Sequence, residues 1–296
     1  MNIYQHVKKY MNLFDYIEEY NFKNIKVIDD TDAWIKNPDY NFIYNKLWIA
    51  QSQGISCGPM NVYPTKYPIG FKPIINLYGM SRGFKIITDE KEYDENIKDG
   101  FFWEEYLKGD HYCVDLIIVK GKVKFFSALR SIPSDNGSFE YHESIPEYEL
   151  PEHITFWISE HLEEYTGPIN IELINGLIIE AHLRLNGDFQ LYNKEFVSSL
   201  DNLYETGSWD LLNFKIEKKY LIPIFVEKNI SKNKLNIIEK IIFLASKKFK
   251  LNNLLVDNIN SQTQSEYLSR AFMIDISNII DGFYIKKKIF LNQHNI

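Results

Sequence analysis

An apolar run with a lysine at its centre leads into a glycine-containing loop at residues 67–83. The lysine is Lys72, and the loop residues that could contact a ligand are Gly79, Ser81, Arg82 and Gly83. Glycine allows positive φ and a close approach to a ligand, and successive N–H groups in such a turn suit phosphate oxygens. The pattern predicts two strands, over 68–75 and 84–88, around a nucleotide-phosphate loop. An ordinary glycine turn with a solvated lysine is the alternative, because the segment matches neither common phosphate-loop pattern.

A second feature is a hairpin pattern at residues 169–186, where Asn175-Gly176 separates two apolar runs. Side chains alternate between the two faces of a strand. The polar face of the outgoing strand therefore carries Glu180, His182 and Arg184, and the incoming strand contributes Glu172. Two carboxylates and an imidazole on one face could hold a divalent cation. The alternative is the solvated face of an amphipathic hairpin, which is common.

The register of this hairpin decides between the two interpretations. A two-residue loop at Asn175-Gly176 pairs Glu172 with Ile179 and puts the two carboxylates on opposite faces. A three-residue loop with a bulge at Gly176 pairs Glu172 with Ile178 and puts both carboxylates on the same face. The metal hypothesis requires the second arrangement.

A third feature is a strand–turn–strand pattern at residues 101–119. Its first strand ends with Glu104, Glu105, Tyr106 and Leu107, and His111 follows the turn. A strand that runs beside a purine can offer it a carbonyl and an N–H, and a polar residue after the turn can reach the ribose. An ordinary hairpin with a polar turn is the alternative.

The rest of the chain alternates helix and strand patterns. The spacing of apolar residues predicts helices over 2–20, 43–54, 89–98, 151–165 and 193–205. Pro133, Gly137 and Pro146 predict an irregular loop over 131–150. From residue 219 onward we expect a small α/β appendage, with strands at 220–226 and 253–256 and helices at 234–249 and 266–280.

Composition excludes several classes of protein. The chain has 296 residues and a net charge of −7, which argues against nonspecific binding of nucleic acid. No apolar run is long enough to cross a bilayer, and the N-terminus lacks the apolar core of a secretory signal. Two cysteines cannot make a disulfide framework or a cysteine-rich zinc site. We expect a cytoplasmic protein that contacts neither membrane nor nucleic acid.

The order of these pieces resembles the ATP-grasp superfamily, which includes carboxylate–amine ligases and biotin carboxylase. The resemblance covers roughly residues 43–205. It implies an α+β fold with two α+β lobes, whose antiparallel sheets enclose a nucleotide cleft. On this basis we expect a reduced N-terminal segment and three further units. Their boundaries are 1–42, 43–107 for the small lobe, 108–218 for the large lobe, and 219–296 for the appendage.

The resemblance also implies roles for single residues. Lys46 and Lys72 would contact phosphates, and the loop at 79–83 would fold over them. The segment from Glu104 to Leu107 would line the adenine, and His111 would meet the ribose. The metal-binding residues would be Glu172, Glu180 and His182. Arg184 would hold the acyl or carboxy phosphate, with Arg130 as a weaker candidate for the same site.

The activity that the resemblance implies is ligation that depends on ATP and Mg2+. A small-molecule carboxylate would be activated as an acyl phosphate and then attacked by an amine or a similar nucleophile. The alternatives are a nucleotide-binding module without catalysis and an interaction protein that keeps only the fold. The oligomeric state, a homodimer included, stays open.

Three departures from the family pattern stand out. His182 occupies a position where members usually have an asparagine that also binds metal, which bears on the second magnesium site. Only some forty residues precede Lys46, whereas members usually begin with a separate lobe of about a hundred residues, a typical small-domain size. The Asn175-Gly176 connection is short for the motif.

Overall fold

A computed structural model describes residues 29–77, 81–134, 139–186, 192, 194–211, 214–227, 230–249, 251–256 and 268–294. The predicted helix over 2–20 and Gly79 lie outside the described residues. No helix in the described part of the chain has the length and apolar character needed to cross a membrane.

The first elements build a small antiparallel sheet. In chain order they are helix α1 (Asp30–Lys36), a 3-10 helix (Pro38–Tyr44), helix α2 (Lys46–Ser52), strands β1 (Cys57–Pro59), β2 (Ile69–Pro73) and β3 (Lys85–Ile87), helix α3 (Glu90–Asn96) and strand β4 (Phe101–Glu105). The strand order is β1-β4-β2-β3. This small sheet places Lys72 on β2 directly beside β4, the strand that begins the predicted adenine segment.

The later elements build a large antiparallel sheet of eight strands. They are β5 (His111–Val119), β6 (Lys122–Pro133), β7 (Phe139–Ser144), helix α4 (Glu152–His161), β8 (Gly167–Ile174), β9 (Leu177–His182), helix α5 (Lys194–Thr206), β10 (Tyr220–Glu227), helix α6 (Lys232–Lys248), β11 (Leu251–Val256), β12 (Leu268–Ile276) and helix α7 (Ile279–His294). The strand order is β11-β12-β10-β7-β6-β5-β8-β9. Two antiparallel sheets with helices confirm the predicted α+β class.

The main core lies on one face of the large sheet. Ile171 and Leu173 of β8 pack there with Trp157 and Ile158 of α4. The N-terminal elements join the same core through Ala33, Ile43, Tyr44 and Ile49, all of which are buried. The elements that precede the small sheet are therefore anchored against the large one.

The C-terminal segment continues the large sheet. Strand β10 pairs with β7 through Tyr220 opposite Glu143 and Leu221 opposite His142. A second core, which includes Ile222, Ile238 and Phe272, lies between these strands and helices α6 and α7.

Two predictions of local structure are wrong. The loop expected over 131–150 contains the end of β6 and all of β7, because Pro133 is the last residue of its strand and Pro146 lies beyond the next. Neither proline therefore removes an N–H from the middle of a ladder. The helix expected over 266–280 is strand β12, in which four successive residues from Ala271 to Ile274 are buried. An apolar run that is buried on both faces lacks the alternation that marks a strand.

The β8–β9 hairpin adopts neither of the two expected registers. Its loop has two residues, and both Asn175 and Gly176 have positive φ (52° and 79°). Ile174 pairs with Leu177 and Leu173 with Ile178, but the next pair is Glu172 with Glu180. Ile179 is thus an extra, bulged residue. The bulge puts both carboxylates on one face, which is the arrangement that the metal hypothesis requires.

Candidate functional site

Two lysines from the N-terminal half reach the β8–β9 hairpin of the large sheet. Lys46 is the first residue of α2, and its Nζ lies 2.8 Å from Oε1 of Glu180. Lys72 Nζ donates a hydrogen bond of 3.0 Å to the carbonyl of the bulged Ile179. Both lysine side chains are buried. These contacts bring one ammonium group to a carboxylate of the hairpin and a second to its backbone.

Lys72 also forms a buried ion pair with Glu104 on the neighbouring strand. The distance from Nζ to Oε1 is 2.7 Å. The second carboxylate oxygen, Oε2, has no hydrogen-bond partner in the part of the chain that the structure describes. Burial raises the pKa of the Glu104 carboxyl, although Lys72 opposes that effect. Lys72 is therefore the main group that favours the charged form of this carboxyl.

The three predicted metal ligands lie together. One ligand atom from each of Glu172, Glu180 and His182 lies within 4.8 Å of the others. Oε2 of Glu172 also lies 3.0 Å from Nε2 of His111. Burial opposes ionisation of Glu172, but His111 and the charges of His182 and Lys46 outweigh it and lower the pKa of this carboxyl. Glu172 is therefore an anion at neutral pH.

This donor set fits a divalent cation. The two carboxylates offer the oxygen ligands that such cations take in proteins, and their spacing allows one ion to contact both. The third donor is an imidazole nitrogen, which suits transition ions better than magnesium. Glu172 and Glu180 would hold the ion, with His182 as the third ligand.

Asp30, the first residue of α1, contacts two polar side chains of the outgoing segment of the hairpin, His182 and Arg184. Its Oδ1 lies 2.9 Å from Nδ1 of His182, and its Oδ2 lies 2.7 Å from Nη2 of Arg184. The hydroxyl of Tyr44 donates to Oδ1 over 3.3 Å and accepts from the backbone N–H of Leu183. Burial alone would raise the pKa of Asp30, but the nearby charges of His182 and Arg184 hold it well below its usual range. Asp30 therefore orients the last two polar side chains of the hairpin.

A buried polar cluster lies on the same face of the large sheet, next to the site. Asp115 Oδ1 accepts hydrogen bonds from Asn170 Nδ2 at 2.9 Å and from the backbone N–H of Asn186 at 2.8 Å. The hydroxyl of Tyr192 donates to Oδ2 over 3.2 Å and also contacts Ser127. Burial nevertheless raises the pKa of Asp115 to about 6.

The raised pKa of Asp115 predicts a pH dependence of stability. A carboxyl whose pKa is higher in the folded state contributes stability that is present below its ordinary value of 3.8 and is lost as pH rises through about 6. The rise of the pKa from 3.8 to about 6 corresponds to a loss of stability on the order of 3 kcal/mol once the carboxyl is ionised. We expect Asp115→Asn to remove this loss, so that the variant gains stability relative to the wild type between pH 4 and 7. Urea unfolding of both proteins at several pH values measures the difference in their free energies of unfolding. A difference between the two proteins that stays constant with pH would contradict the prediction.

Part of the predicted adenine segment is buried or already hydrogen-bonded within the chain. Glu104 is buried, Glu105 is exposed, and Tyr106 and Leu107 are half-buried. The N–H of Glu105 donates to the carbonyl of Ser56, and that of Tyr106 donates to Pro68. These two donors are therefore used within the chain.

The described part of the glycine loop has the expected backbone. Ser81 and Gly83 have positive φ (49° and 77°). A Cβ on Gly83 would lie 3.0 Å from the ring of Phe101, so a larger residue at this position would also be crowded by that ring. Arg82 is half-buried.

Arg130 is not brought to the site. It pairs in register with Tyr112, whereas Cys113 pairs with Glu172, so Arg130 and Glu172 lie on opposite faces of the large sheet. The guanidinium lies 2.7 Å from Glu143.

Sequence reasoning missed Asp30. It stands 152 residues before His182, in a helix of seven residues whose one visible signal is the N-cap Asp29. A capping pattern indicates where a helix begins but carries no information on which distant strand its first turn contacts.

No protein-family model matches the sequence, and no curated protein sequence matches it. The chain is similar in structure to an L-amino acid ligase from Bacillus licheniformis, with a TM-score of 0.55 and 12% identity over 85% of this chain and 71% of that one. It is also similar to an N5-carboxyaminoimidazole synthetase from Staphylococcus aureus complexed with ADP (TM-score 0.57, 12% identity, 82% and 71% covered).

A third similar structure is the biotin carboxylase domain of a 2-oxoglutarate carboxylase from Hydrogenobacter thermophilus, in complex with MgADP, ADP and bicarbonate. Its TM-score is 0.51 and its identity 12%, over 79% of this chain and 62% of that one. At such identities the likeness concerns the fold alone.

Proposed function

Because the chain has the ATP-grasp fold, we propose that it binds ATP between its two sheets and uses it to activate a carboxylate as an acyl phosphate. An amine or a similar nucleophile would then displace the phosphate. The observation that carries this proposal is the convergence of Lys46 and Lys72 on the hairpin that bears Glu172 and Glu180. A triphosphate would need cations and metal ligands close together, and both lysines contact the hairpin that carries the two carboxylates.

Lys46 and Lys72 would change partners when the nucleotide binds. In the structure they contact Glu180, Glu104 and the carbonyl of Ile179. Phosphate oxygens would replace part of these contacts and share the two ammonium groups. The adenine would lie against the segment from Glu104 to Leu107, with the N–H of Leu107 as donor because the two preceding N–H groups are already used.

Glu172 and Glu180 would hold Mg2+ or a similar cation, and His111 would turn from Glu172 to the ribose. Such a cation, when bound, offsets the repulsion between phosphate oxygens. Lysine and arginine side chains would supply the rest of the positive charge, once they exchange part of their contacts within the chain for phosphate oxygens.

The proposed substrates are small molecules. The similar structures include an L-amino acid ligase and complexes with ADP and bicarbonate. A carboxylate and an amine substrate suit the proposed reaction, and a cytoplasmic location suits its use of ATP.

A second candidate function is nucleotide binding without catalysis. The observation that favours it is the ion pair of 2.7 Å between Arg184 and Asp30. The guanidinium that would hold an acyl phosphate is already bound to a carboxylate of the same chain. For catalysis, Arg184 must either leave Asp30 or bind the intermediate with its remaining N–H groups.

Calorimetric titration with ATP and MgCl2 tests binding, and release of ADP tests catalysis. We expect the wild type to bind ATP and Lys46→Met to bind it at least about tenfold more weakly, a loss of about 1.4 kcal/mol. Lys91→Met is the matched control, because Lys91 lies on the exposed surface of α3. Release of ADP in the presence of pooled carboxylic acids and amines would support ligation over simple binding. Failure of the wild type to bind ATP would refute both functions.

A further inference from the structure

His182 has its two ring nitrogens on two different acids. The side chain is 3% exposed. Nδ1 lies 2.9 Å from Oδ1 of Asp30, and Nε2 lies 3.4 Å from Oε1 of Glu180. The ring therefore bridges an acid behind the hairpin and an acid in the proposed cation site.

The contact with Asp30 fixes which nitrogen carries the proton. Asp30 is paired with the guanidinium of Arg184 at 2.7 Å, and a carboxylate can only accept hydrogen bonds, so Nδ1 is the donor. In the neutral ring the lone pair then lies on Nε2, the nitrogen that faces Oε1 of Glu180 at 3.4 Å. A carboxylate that holds the far nitrogen of a histidine is the usual support of a metal-binding imidazole.

We infer that Nε2 of His182 is a ligand of the divalent cation held by Glu172 and Glu180, with Asp30 as its positioning residue, so that the site prefers a first-row transition ion to Mg2+. The inference rests on the proposed function, which brings a cation to these residues. Imidazole binds transition ions well, whereas magnesium takes oxygen ligands and keeps its waters.

Three features of the site agree with this inference. The ligand atoms of the three residues are close enough to meet on one ion. Lys46 Nζ and His182 Nε2 both approach Oε1 of Glu180, so a positive charge already lies beside the proposed ligand atoms. Arg184 contacts the second oxygen of Asp30 and leaves Oδ1 to His182.

The direct test uses Mn2+ alone as the probe. Mn2+ is added to the full chain, and electron spin echo modulation is recorded for nitrogen bound to the ion. We expect modulation from one imidazole nitrogen in the wild type, and its loss in His182→Asn, which substitutes an amide oxygen at the same position. Bound Mn2+ without nitrogen modulation in the wild type would overturn the inference, and so would a failure of Mn2+ to bind at all.

The preference between metals is measured by displacing Mn2+ with Mg2+. We expect His182→Asn to lower the ratio of Mn2+ affinity to Mg2+ affinity by about tenfold or more, the scale on which even groups behind the ligands act. Asp30→Asn should also lower this ratio, by a smaller factor, because Asp30 acts on the ion only through His182. A purely structural role for Asp30 would instead weaken the binding of both ions equally. An unchanged ratio in a folded His182→Asn variant would refute the preference.

The two proposals fail separately. ATP binding by calorimetry, together with Mn2+ that shows no nitrogen modulation, would leave the proposed function standing and refute the role of His182. Nitrogen-bound Mn2+ in a chain that does not bind ATP would do the reverse. The absence of nitrogen modulation in the wild type would refute the inference even if a variant fails to fold.

Discussion

Replacement of Asp30 by alanine is expected to lower the free energy of unfolding by about 3–5 kcal/mol, the cost of removing one partner from a buried ion pair. The variant would leave the guanidinium of Arg184 and Nδ1 of His182 without their acceptor in the structure. It would also remove an acceptor from the hydroxyl of Tyr44. Urea unfolding monitored by circular dichroism measures the loss.

The matched control is Asp32→Ala in the same helix turn. Asp32 is less buried than Asp30, and its N–H is bonded to Asp29. Its removal should cost no more than about 1 kcal/mol, the usual value of an acid near a helix N-terminus. Similar losses in the two variants would show that Asp30 acts only through its helix.

The loss in Asp30→Ala should depend on pH. A carboxyl with a depressed pKa contributes stability that is present above its ordinary value of 3.8 and is lost as pH falls further, through its folded-state pKa. The difference between wild type and variant should therefore be complete at neutral pH and shrink below about pH 4. A difference that grows on acidification would contradict the ion-pair explanation.

Replacement of Lys72 by methionine is expected to cost a similar amount, about 3–5 kcal/mol at neutral pH. Methionine keeps the length of the side chain but leaves the buried carboxylate of Glu104 without its partner at 2.7 Å. It also removes the donor to the carbonyl of Ile179. Thermal and urea unfolding measure the loss.

The sign of the pH effect is opposite to that for Asp30. Burial already raises the pKa of Glu104 and favours its neutral form. In Lys72→Met the carboxyl would take up a proton more readily, so the variant should regain stability as pH falls and lose it as pH rises through the folded-state pKa. Equal losses at pH 5 and pH 8 would argue against an uncompensated charge.

The double variant Lys72→Met/Glu104→Met separates stability from nucleotide binding. An apolar pair of similar volume can replace a buried ion pair at little cost, so the double variant should recover most of the lost stability. It should still bind ATP more weakly than the wild type, because no ammonium group remains on β2 to contact phosphate. Recovery of both properties together would remove Lys72 from the proposed site.

Much of the site could be predicted from the sequence because its signals are local. Alternation along one strand put Glu180, His182 and Arg184 on one face, and the structure has them there. Lys72 was predicted from the apolar run and the glycine loop that follows it, whereas Lys46 was predicted only from the resemblance to the ATP-grasp superfamily. The predicted roles of these residues stay predictions until nucleotide and metal binding are measured.

The remaining features depend on contacts between distant residues. Asp30 approaches His182 only because α1 and the 3-10 helix pack against the large sheet through Ala33 and Tyr44. Strand β12 could not be told from a helix, because both of its faces are buried. The faces of Glu172 and Glu180 depended on a bulge whose position the alternating pattern does not mark.

The bulge at Ile179 affects how sequences of this kind should be compared. A regular ladder on the same two-residue turn would need one residue fewer between the turn and Glu180 for that carboxylate to oppose Glu172. The number of residues between the two acids can therefore change by one, with the same two acids still meeting, provided the bulge is gained or lost with the extra residue. Two proteins that place these acids identically can differ in spacing, so an alignment that forbids a gap here would mismatch them.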